Sequence, residues 1–318
     1  MKIKNENDLL KYIQKTICTN SPNIIKSIGD DCAVLKINKS KCLVITTDTC
    51  LEGPHFTSDY LPNEIGYKSL ATNLSDIAAM GCTPKYILMS LTLPKLENEW
   101  IKSFYKGVKK LVSKHKLTLI GGDTNRGPLN ISIQVIGINK NKILYRNGAR
   151  INDDIYVTGT LGSARAALML AKTNKFKKET KFFSKFLKMP QPRIEIGERI
   201  SNTANSCIDI SDGLMKDLRS ILDSSKLGAS IDLEKLPVHP LIRKIINPKK
   251  YYECILGGGE DYELCFTAPR KSRPTIQKIS LATRIRITLI GKTTKENMSF
   301  LNNGRLQKFN FKGFDHFA

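Results

Sequence analysis

The chain has 318 residues, of which 41% are hydrophobic and 25% charged, with 51 Lys and Arg against 29 Asp and Glu. At roughly 100–200 residues per domain, this length predicts two domains, and the hydrophobic content excludes a disordered chain. No stretch approaches the roughly 18 consecutive apolar residues of a membrane span, and the polar start has no signal segment. The eight cysteines form no C-x-x-C pair that would indicate zinc or redox chemistry. We therefore expect a cytoplasmic globular protein that does not contact a membrane.

Hydrophobic periodicity and turn residues predict elements of both kinds along the whole chain. In the first half we expect helices over 8–17, 62–81 and 100–115, and strands ending near 35 and over 42–48, 86–93, 117–123 and 130–137. In the second half we expect strands over 154–159, 207–212, 262–267 and 284–290, and helices over 162–172, 172–188, 193–204 and from 213. The polar stretch 139–152 separates them. The sequence thus predicts an α/β (α+β) protein with an N-terminal domain at 1–140 and a C-terminal domain at 150–318.

The net charge of +22 raises the question of a nucleic-acid partner. The densest basic run, 172–188, holds seven lysines, and four of its apolar residues, Phe182, Phe183, Phe186 and Leu187, are interleaved with them toward its end. Those four positions form one stripe of a helix, so we favour a surface helix with its aromatic face inward and its lysines in water. An RNA-binding patch is the alternative, and we consider nucleic acid the less favoured partner.

Acidic residues are few, and many stand beside Gly, Ser or Thr at the predicted ends of strands. Hard cations such as Mg²⁺ prefer carboxylate oxygens, waters and phosphates as ligands. Asp76 is unusual because it lies near the C-terminal end of an apolar helix, where the helix dipole disfavours a carboxylate. Taken singly, each such residue is more often a turn or capping carboxylate. Together they favour a cation site. The five segments are Gly29–Asp31, Thr46–Asp48, Asn73–Asp76, Gly121–Thr124 and Asp209–Gly213.

Three glycine clusters, 121–122, 158–162 and 256–262, permit close approach of the backbone to an anion. None of them matches the G-x-x-x-x-G-K-[ST] pattern or a G-x-G-x-x-G that opens a helix. A phosphate site in this chain would therefore be of another kind, and each cluster alone is more often a plain turn.

Seven segments in series resemble the thiamine-monophosphate kinase family of the aminoimidazole ribonucleotide synthetase (PurM-like) superfamily. The resemblance runs from about residue 28 to the end of the chain. It implies a two-domain architecture: an N-terminal mixed sheet with helices that forms a dimer barrel with a second subunit, and a C-terminal α/β domain that closes over ATP. The segments are IGDDCAVL from Ile28, TTDTCLEGPHF from Thr46, NLSDIAAMG from Asn73, LIGGDTNRGP from Leu119, IDISDGL from Ile208, LGGGEDYELCF from Leu256 and KGFDHF from Lys312.

The resemblance also implies an activity: Mg²⁺-dependent transfer of the γ-phosphoryl group of ATP to thiamine monophosphate, which gives thiamine diphosphate and ADP. The implied metal ligands are Asp31, Thr46, Thr47, Asp48, Asp76, Asp123, Asp209 and Asp212. The implied ATP contacts are Tyr105, Gly122, Asp123, Arg146 and Ser211, and the implied substrate contacts are His55, Glu260 and Phe314. The chain departs from the family pattern at Pro54, Ser163, Gly257 and Phe314, none of which is an implied metal ligand.

The acceptor in this reaction is a phosphate monoester, which is largely dianionic at neutral pH because its second pKa is about 6. Such a nucleophile needs no general base, so we expect no catalytic acid or base and several Mg²⁺ ions instead. Two enzymes of the same superfamily, selenophosphate synthetase and aminoimidazole ribonucleotide synthetase, are alternatives. The first is disfavoured because the chain lacks a glycine-rich N-terminal segment with a reactive Cys and Lys.

Overall fold

The computed structural model describes residues 3, 6–17, 21–173, 175–311 and 313. Its helices in that part of the chain are α1 (Glu6–Thr16), α2 (Pro62–Ala79), α3 (Asn98–His115), α4 (Ser163–Ala171), α5 (Lys177–Lys188), α6 (Ile194–Ile200), α7 (Leu214–Ser225), α8 (Pro240–Ile245), α9 (Pro248–Leu256) and α10 (Arg273–Thr283). Its strands are β1 (Ile24–Lys26), β2 (Ala33–Lys36), β3 (Cys42–Leu51), β4 (Thr83–Leu93), β5 (Thr118–Arg126), β6 (Asn130–Ile138), β7 (Asp154–Thr158), β8 (Ser206–Asp209), β9 (Gly228–Asp232), β10 (Leu264–Ala268), β11 (Ile287–Thr294), β12 (Ser299–Asn302) and β13 (Arg305–Gln307).

The first six strands form one mixed sheet in the order β1-β2-β3-β6-β4-β5. All neighbouring pairs are antiparallel except β4 and β5, which run parallel. Residues of β3, β4 and β6 alternate between a buried and a more exposed face, as strands with one covered face do. The edge strand β5 is exposed along its whole length.

The last seven strands form a second sheet in the order β13-β12-β9-β11-β7-β10-β8. Its pairs are antiparallel apart from β9 with β12. The central strands β7 and β10 are buried at every residue, because they lie in the interior of the sheet and are covered on both faces. Strand β8 lies at the edge of this sheet and contacts α2, so its C-terminal Asp209 is next to the first half of the molecule.

Helix α2 lies between the two halves. It packs against α3, β3 and β6 on one side and against α6 and β8 on the other, which explains why it is buried almost all round. Pro62 fits the first turn of α2. Gly107 of α3 permits close packing, since an added Cβ there would lie 1.9 Å from the carbonyl oxygen of Asn63. Polar side chains of α2 therefore face the junction between the halves.

The predicted fold class is confirmed: the protein is a mixed α/β structure with two sheets. The helix predicted over 193–204 ends at Ile200 and the strand predicted over 284–290 begins at Ile287. The sequence patterns missed seven elements: β1, β9, β12, β13, α8, α9 and α10. The basic run forms α5, in which Phe183 and Leu187 are buried, as the stripe predicted. Among the helices that the structure describes, each is too short or too polar to cross a membrane.

Candidate active site

A cavity of about 510 Å³ opens between the two halves. The first half contributes β3, the loop that follows it and α2, and the second half contributes α4, the loop after β8 and the glycine-rich loop 257–262. Seven of the residues predicted for metal, ATP or substrate line this cavity: Asp48, His55, Asp76, Asp209, Ser211, Asp212 and Glu260. The fold thus gathers side chains that are up to 212 positions apart in the sequence into one cleft (48 to 260).

Three predicted metal ligands from both halves meet beside this cleft, and two of them, Asp76 and Asp209, form part of its lining. The carboxylate oxygens of Asp31, Asp76 and Asp209 lie within 4.8 Å of one another. Asp31 precedes β2, Asp76 lies in the last turn of α2, and Asp209 ends β8. Three carboxylates at this separation offer a hard divalent cation the oxygen ligands it prefers. We call these three residues the aspartate cluster.

Burial and mutual repulsion disfavour the charged forms of these carboxyls. Burial raises the pKa of Asp209 to about 8, with the charge of Asp31 adding to the effect. Burial also raises the pKa of Asp76 well above its usual value, and the charges of Asp48, Asp209 and Asp31 raise it further. The pKa of Asp31 is raised by burial as well, although Arg146 partly offsets this. A cation among the three would supply the missing counter-charge.

Neighbouring side chains fix the orientation of each carboxylate in the cluster. Ser75 donates to Oδ2 of Asp209 at 2.7 Å, and the Thr46 hydroxyl donates to Asp76. The Arg146 guanidinium donates to Oδ1 of Asp31 at 2.6 Å. The other oxygen of Asp31, Oδ2, is buried without a hydrogen-bond partner in the described part of the chain. A buried carboxylate oxygen of this kind fits a metal ligand.

Two further predicted ligands stand above the cluster. Asp48 lines the cleft from β3, and burial raises its pKa. Asp212 follows β8 and forms an ion pair with Lys216 at 2.7 Å. The loop that carries Ser211 and Asp212 is held against the glycine-rich loop: the Glu260 N–H donates to the Ser211 carbonyl at 2.7 Å, and a Cβ on Gly259 would lie 2.4 Å from that oxygen. Only glycine permits this approach.

The predicted substrate residues His55 and Glu260 also line the cleft. The Leu51 N–H donates to His55 Nδ1 at 3.0 Å, so the ring proton of a neutral His55 is on Nε2. Glu260 adopts a positive φ of 73° and its carboxylate contacts the ammonium of Lys68. The third predicted substrate residue, Phe314, lies outside the described residues.

Four predicted residues lie away from this cleft and from the aspartate cluster, whereas Asp31, Thr46 and Arg146 meet at the cluster itself. Thr47 is exposed and faces the side of β3 opposite to Thr46, because side chains alternate along a strand. Gly122 and Asp123 lie on the exposed edge strand β5, where Asp123 accepts from the backbone of Thr124 at 2.9 Å. Tyr105 lies half-exposed on α3 with its ring edge-on to Phe104. Within one chain these four residues lie away from the aspartate cluster, and their assigned roles stay predictions.

The cleft also holds residues that the sequence patterns did not single out. Lys68 of α2 and Arg165 of α4 are two cations in its lining, and Tyr60 and Tyr262 add aromatic surface. Lys68 could have been found, since it is the only charged residue between Glu64 and Asp76 in a helix that is otherwise apolar or small at its buried positions. Arg165 gives a comparable signal, since it is the only charged residue of α4.

The chain matches two family models: that of the AIR synthase related protein N-terminal domain over residues 29–139, and that of the C-terminal domain over 150–302. It is 41% identical to the thiamine-monophosphate kinase of Buchnera aphidicola subsp. Schizaphis graminum, over 98% of this chain and 99% of the relative. Identity to the thiamine-monophosphate kinase of Escherichia coli K12 is 40%, over 92% and 91%. A solved structure described as AaThiL complexed with AMPPCP and TMP is 33% identical, with a TM-score of 0.84 and 99% of both chains covered.

Proposed function

Since the chain belongs to the thiamine-monophosphate kinase family, we propose that it transfers the γ-phosphoryl group of ATP to thiamine monophosphate and forms thiamine diphosphate and ADP. The observation that carries this proposal is the cleft, in which carboxylates of both halves meet beside a cavity of about 510 Å³ that residues of both halves line. A related structure contains AMPPCP and TMP, an ATP analogue and an acceptor, which fits a site for two phosphate-bearing ligands.

We propose that magnesium binds at the aspartate cluster. The orphaned oxygen of Asp31, the raised pKa values of Asp76 and Asp209 and the all-oxygen donor set fit this ion. Bound Mg²⁺ would neutralise charge on the phosphates as they come within reacting distance. We propose that the coordination is completed by Asp48, Thr46 and Asp212. Two further proposed ligands, Thr47 and Asp123, do not line the cleft within a single chain.

The proposed transfer needs positioning and charge neutralisation rather than proton removal. The acceptor phosphate is already dianionic near neutral pH, so we assign no catalytic acid or base. The residues of the cleft would instead align the donor and acceptor and keep water out. Ser211 and Arg146 are the proposed ATP contacts nearest the cluster, with Gly122 and Tyr105 proposed farther away, and His55, Glu260 and Phe314 are proposed to contact thiamine monophosphate.

We also propose that the protein works as a homodimer of two-domain subunits, with domains at 1–140 and 150–318. The support is β5, an edge strand that is exposed along its whole length and carries Leu119 and Ile120 half-exposed. An unpaired edge of this kind is a pairing site for another chain, and Gly122 and Asp123 lie on it. Light scattering of the purified protein should give a mass of about twice 35.7 kDa, and a monomer would contradict the dimer.

Since ATP is the proposed co-substrate, the cytoplasm is the proposed location.

The activity is tested by incubating the purified protein with thiamine monophosphate, ATP and Mg²⁺ and by separating the thiamine esters chromatographically. We expect thiamine diphosphate and ADP in equal amounts, and no product when EDTA replaces Mg²⁺. A folded sample that yields no thiamine diphosphate at any Mg²⁺ concentration would refute the proposal. The same assay with aminoimidazole ribonucleotide precursors or selenide distinguishes the alternatives within the superfamily, and a salt-dependent gel shift tests RNA binding by α5.

A further inference from the structure

Lys68 is the most deeply buried charged side chain in the lining of the cleft, with 2% of its surface exposed. Its ammonium donates to the carbonyl oxygen of His55 at 2.7 Å and contacts the carboxylate of Glu260. It also lies 5.6 Å from the centre of the Tyr60 ring, within the range of a cation–π contact. A buried ammonium is stable only when it is paired in this way.

The three partners of Lys68 belong to separate parts of the wall. His55 and Tyr60 lie on the loop between β3 and α2, whereas Glu260 lies on the glycine-rich loop of the other half. Lys68 itself is on the rigid helix between them. One ammonium therefore ties both loops to α2 across the junction of the two halves.

Glu260 has few other constraints on its side chain. Its backbone N–H donates to the Ser211 carbonyl. Among the described residues, its carboxylate has one contact besides Lys68, a long one with the Tyr262 hydroxyl at 3.4 Å. Its side chain is 23% exposed, toward the cleft. Without Lys68 the carboxylate would be free to rotate toward solvent.

We propose that Lys68 is a positioning residue that holds Glu260 and the His55 loop in the orientation that receives thiamine monophosphate. This inference rests on the proposed function. It predicts that Lys68→Met raises KM for thiamine monophosphate about tenfold or more, because the acceptor site is no longer preformed. We expect kcat and KM for ATP to change less than about threefold, since the partners of Lys68 in the described part of the chain, which are His55, Glu260 and Tyr60, lie outside the aspartate cluster.

The test is a double-mutant cycle with Lys68→Met, Glu260→Gln and the double variant, with KM and kcat measured for both substrates. If Lys68 acts through Glu260, the double variant has the same KM for thiamine monophosphate as Glu260→Gln. If Lys68 instead touches the substrate directly, the effects of the two single substitutions on KM for thiamine monophosphate should multiply in the double variant. That result would overturn the proposal, as would a loss confined to kcat. If Lys68→Met alone does not fold, Glu260→Gln and the double variant are compared by the same criterion.

Arg273→Met is the matched control, because Arg273 donates to Asp154 at 2.6 and 2.8 Å away from the cleft. It should lower the melting temperature and leave both KM values unchanged. Wild-type protein is assayed alongside. If the wild type forms no thiamine diphosphate, the proposed function is overturned. If the wild type forms product but the KM effects of the two substitutions multiply, the role of Lys68 alone is overturned.

Discussion

Replacing Asp209 with Asn should stabilise the metal-free protein at alkaline pH and weaken its stabilisation by Mg²⁺. Asp209 is buried beside two other carboxylates, and its pKa rises from 3.8 to about 8. The folded protein therefore holds a proton that the unfolded chain loses above pH 4. The free energy of unfolding therefore falls as the pH rises from about 4 to about 8. The loss reaches its full size above the pKa that Asp209 has in the folded protein.

The size of this effect follows from the shift. One pKa unit corresponds to about 1.4 kcal/mol, so a rise of about four units (3.8 to about 8) sets an upper limit of about 6 kcal/mol. The neighbouring carboxyls titrate together with Asp209, so one substitution should recover only about 2–3 kcal/mol at pH 9. The amide oxygen of Asn can still accept from Ser75, which now donates at 2.7 Å, so the substitution keeps that hydrogen bond.

The assay is urea unfolding of wild type and Asp209→Asn at pH 5 and pH 9, in EDTA and in Mg²⁺. In EDTA the variant should be more stable than the wild type at pH 9 and about equal to it at pH 5. In Mg²⁺ at pH 9, the difference between their free energies of unfolding should become smaller or change sign. Asp154→Asn is the control, because this buried carboxylate accepts from Arg273 at 2.6 and 2.8 Å away from the cleft, and the effect of its loss should not depend on Mg²⁺. A less stable Asp209→Asn in EDTA at pH 9 would refute the reasoning.

Two further sets of substitutions test other parts of the account. Asp76→Asn and Asp123→Asn should each reduce turnover more than about 100-fold while melting near wild type, because both are proposed metal ligands; activity within a few-fold would remove that assignment for the residue concerned. Gly107→Ala should lower stability by about 1–3 kcal/mol in thermal unfolding, because its Cβ would lie 1.9 Å from Asn63 O. An unchanged melting temperature would show that α2 and α3 do not pack this closely.

Much of the site could be predicted from local patterns in the sequence. Asp76 stood out because a carboxylate near a helix C-terminus is unfavourable without a cation, and the structure places it in the aspartate cluster. Thr47 shows the opposite case: it shares a segment with Thr46 and Asp48, yet strand alternation turns it to the other face. The period of two alone would have separated it from them.

Other features depend on long-range packing that no local pattern contains. The strand order, in which β6 lies between β3 and β4, follows from how the sheet covers α2. Lys68 stands out as the lone basic residue of α2, but its role was missed because its three partners, His55, Tyr60 and Glu260, meet only when the two halves come together. The helices α8 and α9 are short, and helices of six and nine residues give little periodic signal.

The central claim is that carboxylates from both halves of the chain bind divalent metal where the two phosphates meet. A crystal grown with an ATP analogue, thiamine monophosphate and Mn²⁺ tests it most directly, because manganese is identified by its anomalous scattering. We expect anomalous peaks within about 2.4 Å of oxygens of Asp31, Asp76 and Asp209, with phosphate oxygens completing the coordination. Bound nucleotide without anomalous density at these three carboxylates would contradict the claim.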